Sequence, residues 1–554
     1  MPLFKEVKKP VIKATPAAGG EISAGRPRYV PKTPPCIGNC PSGSDIRGWL
    51  TTIAQAEQYG RTHDQAYEIA WRVITERNPF PAVCGRVCPH PCEDACNRSE
   101  KEGPIAINAL ERFVGDFGIE KHLKLTKLAE TSYSEKVAVV GAGPAGLSCA
   151  YQLARRGYPV TVFEAFSRPG GMLRYGIPRY RLPREVLDAE TQRILDLGVE
   201  LRCNTIIGKD LTLDQVRNQY QAVFVGIGAH SGLKLGVKGE DAPNVFTGTE
   251  FLNQVNRGEE VAVGDRVIVI GGGDTAIDAA RVSKRLGAST TILYRRTRDE
   301  MPAIKPEIEG ALEEGVQIEF LAAPVEVLLN DGKAKGLRCI RMALGEPDAS
   351  GRRRPVPQPG TEFDVQASTV IAAISQEPQF DGFVALRDGR SWIKTSEAGT
   401  TVLDGVYSGG DDVELGLVTI AISQGRFAAE AIDARLRGKV LEKPTTVPAA
   451  IKAERLKLSW YPESARHERA HISVLERDMN TEVEKGLSEA EAFEEAKRCM
   501  SCGMCMDCEK CWMYCTNSCF VKLPKGEHYR IKLELCNGCN KCAEECPCGY
   551  IDMV

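Results

Sequence analysis

Two cysteine runs near the C-terminus, Cys505, Cys508, Cys511, Cys515 and Cys536, Cys539, Cys542, Cys546, share the spacing C-x-x-C-x-x-C-x-x-x-C, with Pro547 after the second. Thiolates so spaced hold cubane iron-sulfur clusters: the first three of a run bind one cluster and the fourth reaches across to the other. The pattern predicts two [4Fe-4S] clusters, one on Cys505, Cys508, Cys511 and Cys546, the other on Cys536, Cys539, Cys542 and Cys515. A zinc site is the remote alternative. Thr516 stands where proline usually follows the first run, with Cys519 close by, a change expected to alter one cluster's exposure and potential without abolishing it. The remaining cysteines are just as uneven: of 21, six lie between Cys36 and Cys96 and twelve between Cys499 and Cys548. In a reducing compartment such crowding points to clusters rather than disulfides. Cys149, Cys203 and Cys339 stand alone in apolar or strand-like surroundings and read as small buried hydrophobes.

Two other stretches join a strand to a glycine turn and a helix. In EKVAVVGAGPAGL, Gly141, Gly143 and Gly146 follow the strand VAVV, and the next strand, VTVFE, ends in Glu164. Glycines in this order permit the tight turn, let the backbone approach a pyrophosphate and seat the helix on the sheet, so that the helix N-terminus faces the phosphates. Glu164 is placed for a ribose hydroxyl pair. A lone glycine turn can imitate this fingerprint; strand, helix and acid in sequence make it specific. In DRVIVIGGGDTAI the equivalent positions are Gly271, Gly273 and Ala276, and the strand TTILY runs into Arg295 and Arg296 instead of an acid. Arginines there suit a 2'-phosphate and favour NADPH over NADH. The alternative is a solvated loop of Arg295, Arg296 and Arg298, so NADP(H) and NAD(H) both stay open.

The elements that carry these motifs need several domains, because 554 residues exceed the size of one hydrophobic core. The composition, 43% hydrophobic and 26% charged with a net charge of -3, offers no basic surface for nucleic acid. No apolar stretch approaches the roughly 20 residues of a spanning helix. The opening MPLFKEVKKP lacks the apolar run of a secretory signal, so a cytoplasmic location is expected. Residues 1–34 are rich in Pro, Gly, Lys and Ala and read as an extended arm. Near the C-terminus, Ser488 and Glu491 have capping-box spacing at the start of a helix.

The chain resembles the glutamate synthase small-subunit family, which includes the flavin half of dihydropyrimidine dehydrogenase and the large subunit of NADH-dependent ferredoxin:NADP oxidoreductase. The likeness covers nearly all of residues 36–440. It rests on GAGPAGL (141–147), PGGMLRYGIPRYRLP (169–183), FVGIGA (224–229), YRRTRDEMPA (294–303) and YSGGDDVELGLVTIAISQGR (407–426). The resemblance implies an α/β fold of two Rossmann-type dinucleotide domains, for FAD and NAD(P), with a helical iron-sulfur domain before them; the C-terminal cysteine runs add an α+β ferredoxin-like domain after. The implied division is an arm at 1–34, the helical [4Fe-4S] domain at 35–125 and the FAD domain at 126–245 and 365–440. The NAD(P) domain is inserted at 246–364, and a helical linker at 441–498 leads to the two-cluster domain at 499–554. It also implies that Gly171, Gly410 and Asp411 belong to the FAD site, with Thr419 near the flavin ring. Asp412 departs from the family's apolar residue, which leaves the loop geometry there open.

GRVCPHPCEDAC and EGPIAINALERF (102–113) resemble the same family's cluster domain, which usually draws two more ligands from an early C-x-x-C-G element. That element is missing here, but EEAKRCMSCG (494–503) supplies Cys499 and Cys502 just before the tail. One reading folds this segment back, in the same chain or across a homodimer, so that Cys499 and Cys502 join Cys36 and Cys96 on a cluster. A second cluster would then use Cys40, Cys88, Cys92 and, by resemblance to the glutamine ligand of dihydropyrimidine dehydrogenase, Glu111. The other reading makes Cys499 and Cys502 spare thiols, leaving one or two N-terminal clusters. Cys84 has no implied role.

Hydride transfer between nicotinamide and flavin needs stacking and exclusion of water, so no catalytic acid or base is nominated. His230 follows FVGIGA within reach of a flavin, but a packing histidine is the simpler reading. A flavin beside several clusters predicts an NAD(P)H oxidoreductase that converts a two-electron hydride into single electrons for a redox protein partner. The arrangement CMSCGMCMDCEKCWMYC (499–515) resembles the DsrL-type iron-sulfur flavoproteins that partner dissimilatory sulfite reductase, which would place the chain in sulfur metabolism. The alternatives are a glutamate synthase small subunit, which typically lacks the tail, and an NAD(P)H:ferredoxin oxidoreductase.

Overall fold

A computed structural model describes residues 22–349, 351–389, 392–441, 449–524 and 526–554. They form two compact units.

The larger unit comprises Lys127–Lys439 and His471–Lys485. It holds two five-stranded parallel sheets. The first has the order Val406–Ser408, Ala222–Val225, Val137–Val140, Val160–Phe163, Glu200–Arg202. Its central strands are buried on both faces, which is why they read as unbroken apolar runs. The second runs Gln317–Phe320, Ser289–Tyr294, Arg266–Ile270, Thr369–Ala372, Val245–Thr247. Both Val245 and Thr369–Ala372 therefore belong to the second sheet, so the insertion is longer than the expected 246–364. A short apolar strand such as TVIA carries no mark of which sheet it enters, because both sheets are covered on both faces. An antiparallel sheet of Ala322–Asn330, Lys333–Pro347, Arg353–Pro357 and Phe363–Gln366 extends this domain. Helix Val418–Leu436 crosses helix Pro144–Arg155 closely, since a Cβ on Gly425 would stand 2.1 Å from the Ala145 carbonyl oxygen.

The expected helical linker is mostly irregular in the described part of 441–498. Its one α-helix is Glu489–Lys497, where Ser488 and Glu491 form the capping box. The rest holds short 3-10 turns, because its polar, proline-bearing sequence finds its partners in other elements. Residues His471–Lys485 bind the larger unit through Val483 N to Tyr180 O at 3.0 Å and Arg477 to Glu313 at 2.8 Å.

The smaller unit packs helices Ile46–Ala54, His63–Thr75, Pro81–Val87 and Ile107–Glu120 around the buried Trp49 and Trp71. Glycines allow the closest crossing: a Cβ on Gly115 would lie 2.2 Å from the Ala82 nitrogen. The same unit contains the C-terminal cysteine module, with hairpin Phe520–Lys522 and Tyr529–Ile531. The arm's residues 1–21 lie outside the described residues. Its described part is not free: Pro27–Tyr29 pairs with Ile551–Met553, and Tyr29 stacks on Tyr550 with ring centroids 5.1 Å apart. Among the described residues no helix is long and apolar enough to cross a membrane.

Candidate functional site

In the larger unit, the first fingerprint opens a cleft beyond the ends of the first sheet's strands. Gly141 has φ +95°, and a Cβ there would meet the Gly226 carbonyl oxygen at 2.2 Å; a Cβ on Gly146 would stand 1.9 Å from the Gly141 oxygen. Glu164 is buried and accepts hydrogen bonds from the Ala142 and Phe166 amides, both at 2.8 Å, tying the glycine turn to the following strand end. Burial raises its carboxyl above the usual range. Gly171, at φ +52°, brings its backbone so near the turn that a Cβ would lie 2.9 Å from Gly143 Cα. Gly141, Gly143, Glu164, Gly171, Gly410 and Asp411 all line this cleft.

The second fingerprint repeats the device. A Cβ on Gly271, at φ +143°, would meet the Ala373 carbonyl oxygen at 2.1 Å. Gly271 and Gly273 line a second cleft together with Arg295 and Arg296, while Ala276 is buried in the helix behind them. Arg296 is committed elsewhere: its guanidinium donates to Asp348 Oδ2 at 2.8 Å and to the Arg353 carbonyl at 2.7 Å. Arg295 is exposed. Arg352, from the adjoining hairpin, lines the same cleft and carried no signal in the sequence beyond its charge.

Asp411 and Gly416 lie on the walls of both clefts. The two consecutive acids divide their work, which resolves the loop geometry. Asp411 faces the clefts, and burial pushes its carboxyl up to about 6. Asp412 is fully buried and accepts the Ile227 amide at 3.0 Å, bracing the end of the strand Ala222–Val225. Thr419 sits in the first turn of helix Val418–Leu436, its hydroxyl buried without a partner among the described residues. That orphaned hydroxyl and the glycine cradle fit a flat dinucleotide cofactor. His230 lines the first cleft beside Phe166, ring centroids 5.5 Å apart, and burial lowers its pKa, so it packs there as a neutral ring.

In the smaller unit, Cys36, Cys96, Cys499 and Cys502 of the same chain line one cavity. Buried polar contacts hold the segment there. Glu495, 0% exposed, accepts the Ala106 amide at 2.8 Å and Arg498 at 2.6 Å, and Arg498 in turn donates to the Gly103 carbonyl at 2.9 Å. Burial and the neighbouring thiols push Cys36 well up, Cys499 to about 11 and Cys502 to about 12. Thiols that hinder one another's ionisation in this way fit a cationic iron core, which would hold them as thiolates. Cys40, Cys88, Cys92 and Glu111 form a second group, in which burial first, then Glu93, Cys40, Glu111 and Cys88, raise the Cys92 thiol. Burial pushes Glu111 up to about 7, and it accepts Asn78 Nδ2 at 3.0 Å. Cys84 is buried with its sulfur 3.7 Å from Asn78 Oδ1.

In the C-terminal module Cys511 is surrounded by Cys508, Cys505 and Cys546, and Cys542 by Cys539, Cys515 and Cys536. Backbone amides point at several of these sulfurs, among them Tyr550 N to Cys546 Sγ at 3.3 Å and Gly538 N to Cys536 Sγ at 3.4 Å. Of the isolated cysteines, Cys149 and Cys339 are fully buried as expected of small hydrophobes, whereas Cys203 is only half-buried.

Residues 135–425 match the family model described as pyridine nucleotide-disulphide oxidoreductase, and residues 20–123 that of dihydropyrimidine dehydrogenase domain II, 4Fe-4S cluster. The chain is 38% identical over 522 residues to the NADPH-Fe(3+) oxidoreductase subunit beta of Geobacter sulfurreducens, covering 86% of this chain and 76% of that one. It is 35% identical over 455 residues to the glutamate synthase [NADPH] small chain of Escherichia coli K12, covering 77% and 93%. Among solved structures, Mycobacterium tuberculosis FprA in complex with NADPH shares the fold, at TM-score 0.50 and 17% identity over 56% of this chain and 88% of that one.

Proposed function

The chain belongs to the pyridine nucleotide-disulphide oxidoreductase family, in the branch of glutamate synthase small chains, and from that membership we propose that it is the electron-input subunit of a larger reductase. In this reading it exchanges electrons between NADPH and a protein partner through FAD and four [4Fe-4S] clusters. The observation that carries it is that Asp411 and Gly416 wall both dinucleotide clefts, so that the two clefts adjoin there and cofactors held in them would be neighbours.

Bound in the first cleft, FAD supplies the conversion between a hydride pair and single electrons. The rest is positioning by the chain. The N-termini of helices Pro144–Arg155 and Asp274–Arg285 would hold the two pyrophosphates, and Glu164 would bind a ribose. Arg295 takes the 2'-phosphate. The apolar wall of Leu417, Val418 and Ala421 keeps water from the flavin ring. The cluster ligands are Cys36, Cys96, Cys499 and Cys502; Cys40, Cys88, Cys92 and Glu111; Cys505, Cys508, Cys511 and Cys546; and Cys536, Cys539, Cys542 and Cys515.

The partner is a siroheme enzyme of the dissimilatory sulfite reductase type, a reading supported by the segment 499–515. The test is anaerobic purification with FAD and iron quantitation, then NADPH and NADH oxidation with a viologen dye and with sulfite reductase as acceptors. Transfer to sulfite reductase supports the whole reading; dye reduction alone removes the named partner and leaves ferredoxin as the next acceptor to assay.

A further inference from the structure

Each C-terminal cluster site holds a fifth thiol. Cys548 is 1% exposed, and its sulfur lies 3.8 Å from Cys546 Sγ, with Cys508 and Cys505 as its next thiol neighbours. At the other site Cys519, 2% exposed, lines the same cavity as Cys515, Cys536, Cys539 and Cys542. The placement recurs: in both cases the extra thiol follows shortly after the cysteine that crosses from one run to the other cluster, Cys548 after Cys546 and Cys519 after Cys515. The crossing cysteines bear the marks of ligands. Cys546 Sγ accepts the Tyr550 amide at 3.3 Å and Cys515 Sγ accepts the Cys519 amide at 3.1 Å. Among the described residues no backbone amide is directed at the sulfur of Cys519 or Cys548.

We propose that Cys548 and Cys519 are reserve ligands, each able to replace the crossing cysteine of its cluster. This rests on the reading that the two runs hold clusters. In the exchange the Fe–Sγ bond to Cys546 breaks as one to Cys548 forms, the Cys548 proton passes to the released Cys546 sulfur, and the iron keeps its oxidation state. Cys546 and Cys548, both buried with their sulfurs 3.8 Å apart, allow the swap with a side-chain rotation and no entry of water. A cluster so equipped keeps its iron when its crossing cysteine is lost, for example to oxidation.

The test uses the full chain, purified anaerobically, with iron and sulfide counts, EPR of the reduced clusters, and FAD content as a check on folding. Cys546→Ala and Cys548→Ala should each retain wild-type iron. Cys546→Ala should show shifted cluster EPR, and the double variant Cys546→Ala with Cys548→Ala should lose about four irons, one cluster. Cys511→Ala, at a position without a reserve thiol, should lose the same amount alone. The proposal is overturned if Cys546→Ala loses as much iron as Cys511→Ala, or if Cys548→Ala alone loses a cluster. Should Cys546→Ala fail to assemble, Cys546→Ser and the Cys515→Ala and Cys519→Ala pair are scored by the same counts. If Cys511→Ala and the double variant both keep wild-type iron, the cluster reading itself has failed.

Discussion

The Arg296 guanidinium stands 2.8 Å from Asp348 Oδ2, so the second arginine of YRRTRDE braces the neighbouring hairpin while Arg295 remains exposed at the rim of the cleft. A charged hydrogen bond to a phosphate is worth roughly 1.5–3 kcal/mol. Arg295→Ala should therefore lower kcat/KM for NADPH by about 10- to 100-fold and leave NADH use nearly unchanged. Arg296→Ala should lower thermal stability and affect both nucleotides alike. Steady-state kinetics with each nucleotide, with melting curves beside them, separate the two roles.

Desolvation in the cleft wall pushes the half-buried Asp411 carboxyl up to about 6, above the carboxylate's ordinary 3.8. A raised acid favours the folded state most when protonated. Its contribution is thus complete below the ordinary value and is lost as pH rises through about 6. The flavin-free chain should lose thermal stability from pH 4 to 6, whereas Asp411→Asn should show a flatter profile over that window; melting curves across it are the measurement.

Cys499 and Cys502 share a cavity with Cys36 and Cys96. Cys499→Ala with Cys502→Ala should remove about four irons and leave FAD content intact. Truncation of residues 499–554 should likewise strip iron from the helical domain; N-terminal cluster content that survives truncation counts against the assignment.

Glu111 provides an oxygen beside Cys40, Cys88 and Cys92. Glu111→Ala should cost that cluster its iron. Glu111→Gln, which keeps an oxygen but removes a negative charge, should retain the iron and raise the cluster's potential, as read in an EPR-monitored redox titration.

The dinucleotide fold was legible because its signals are local: a glycine pressed against a carbonyl, as Gly141 is against Gly226, is demanded by the turn itself. The crossed pairing proposed for the C-terminal cysteines rests on an equally local signal, their fixed spacing. What joins Cys499 and Cys502 to Cys36 and Cys96 is instead the buried Glu495 and Arg498, which find their partners at Ala106, Gly103 and Pro104, nearly four hundred residues away in sequence. A charged pair at the end of a polar helix looks like solvated surface until its partners are known. The same holds for the commitment of Arg296, set by a hairpin whose pairing no local pattern marks, and for the arm, whose strand exists only because Ile551–Met553 offers an edge.

The proposed electron path runs between NADPH and the clusters through FAD. Its most direct test is an anaerobic NADPH titration of the holoprotein, with flavin absorbance and cluster EPR followed together, and with dithionite reduction as the reverse experiment. Reducing equivalents entering at either end should appear at the other, and removal of FAD should block the exchange. Clusters that stay oxidised while NADPH bleaches the flavin, together with dithionite-reduced clusters that leave FAD oxidised, would contradict it.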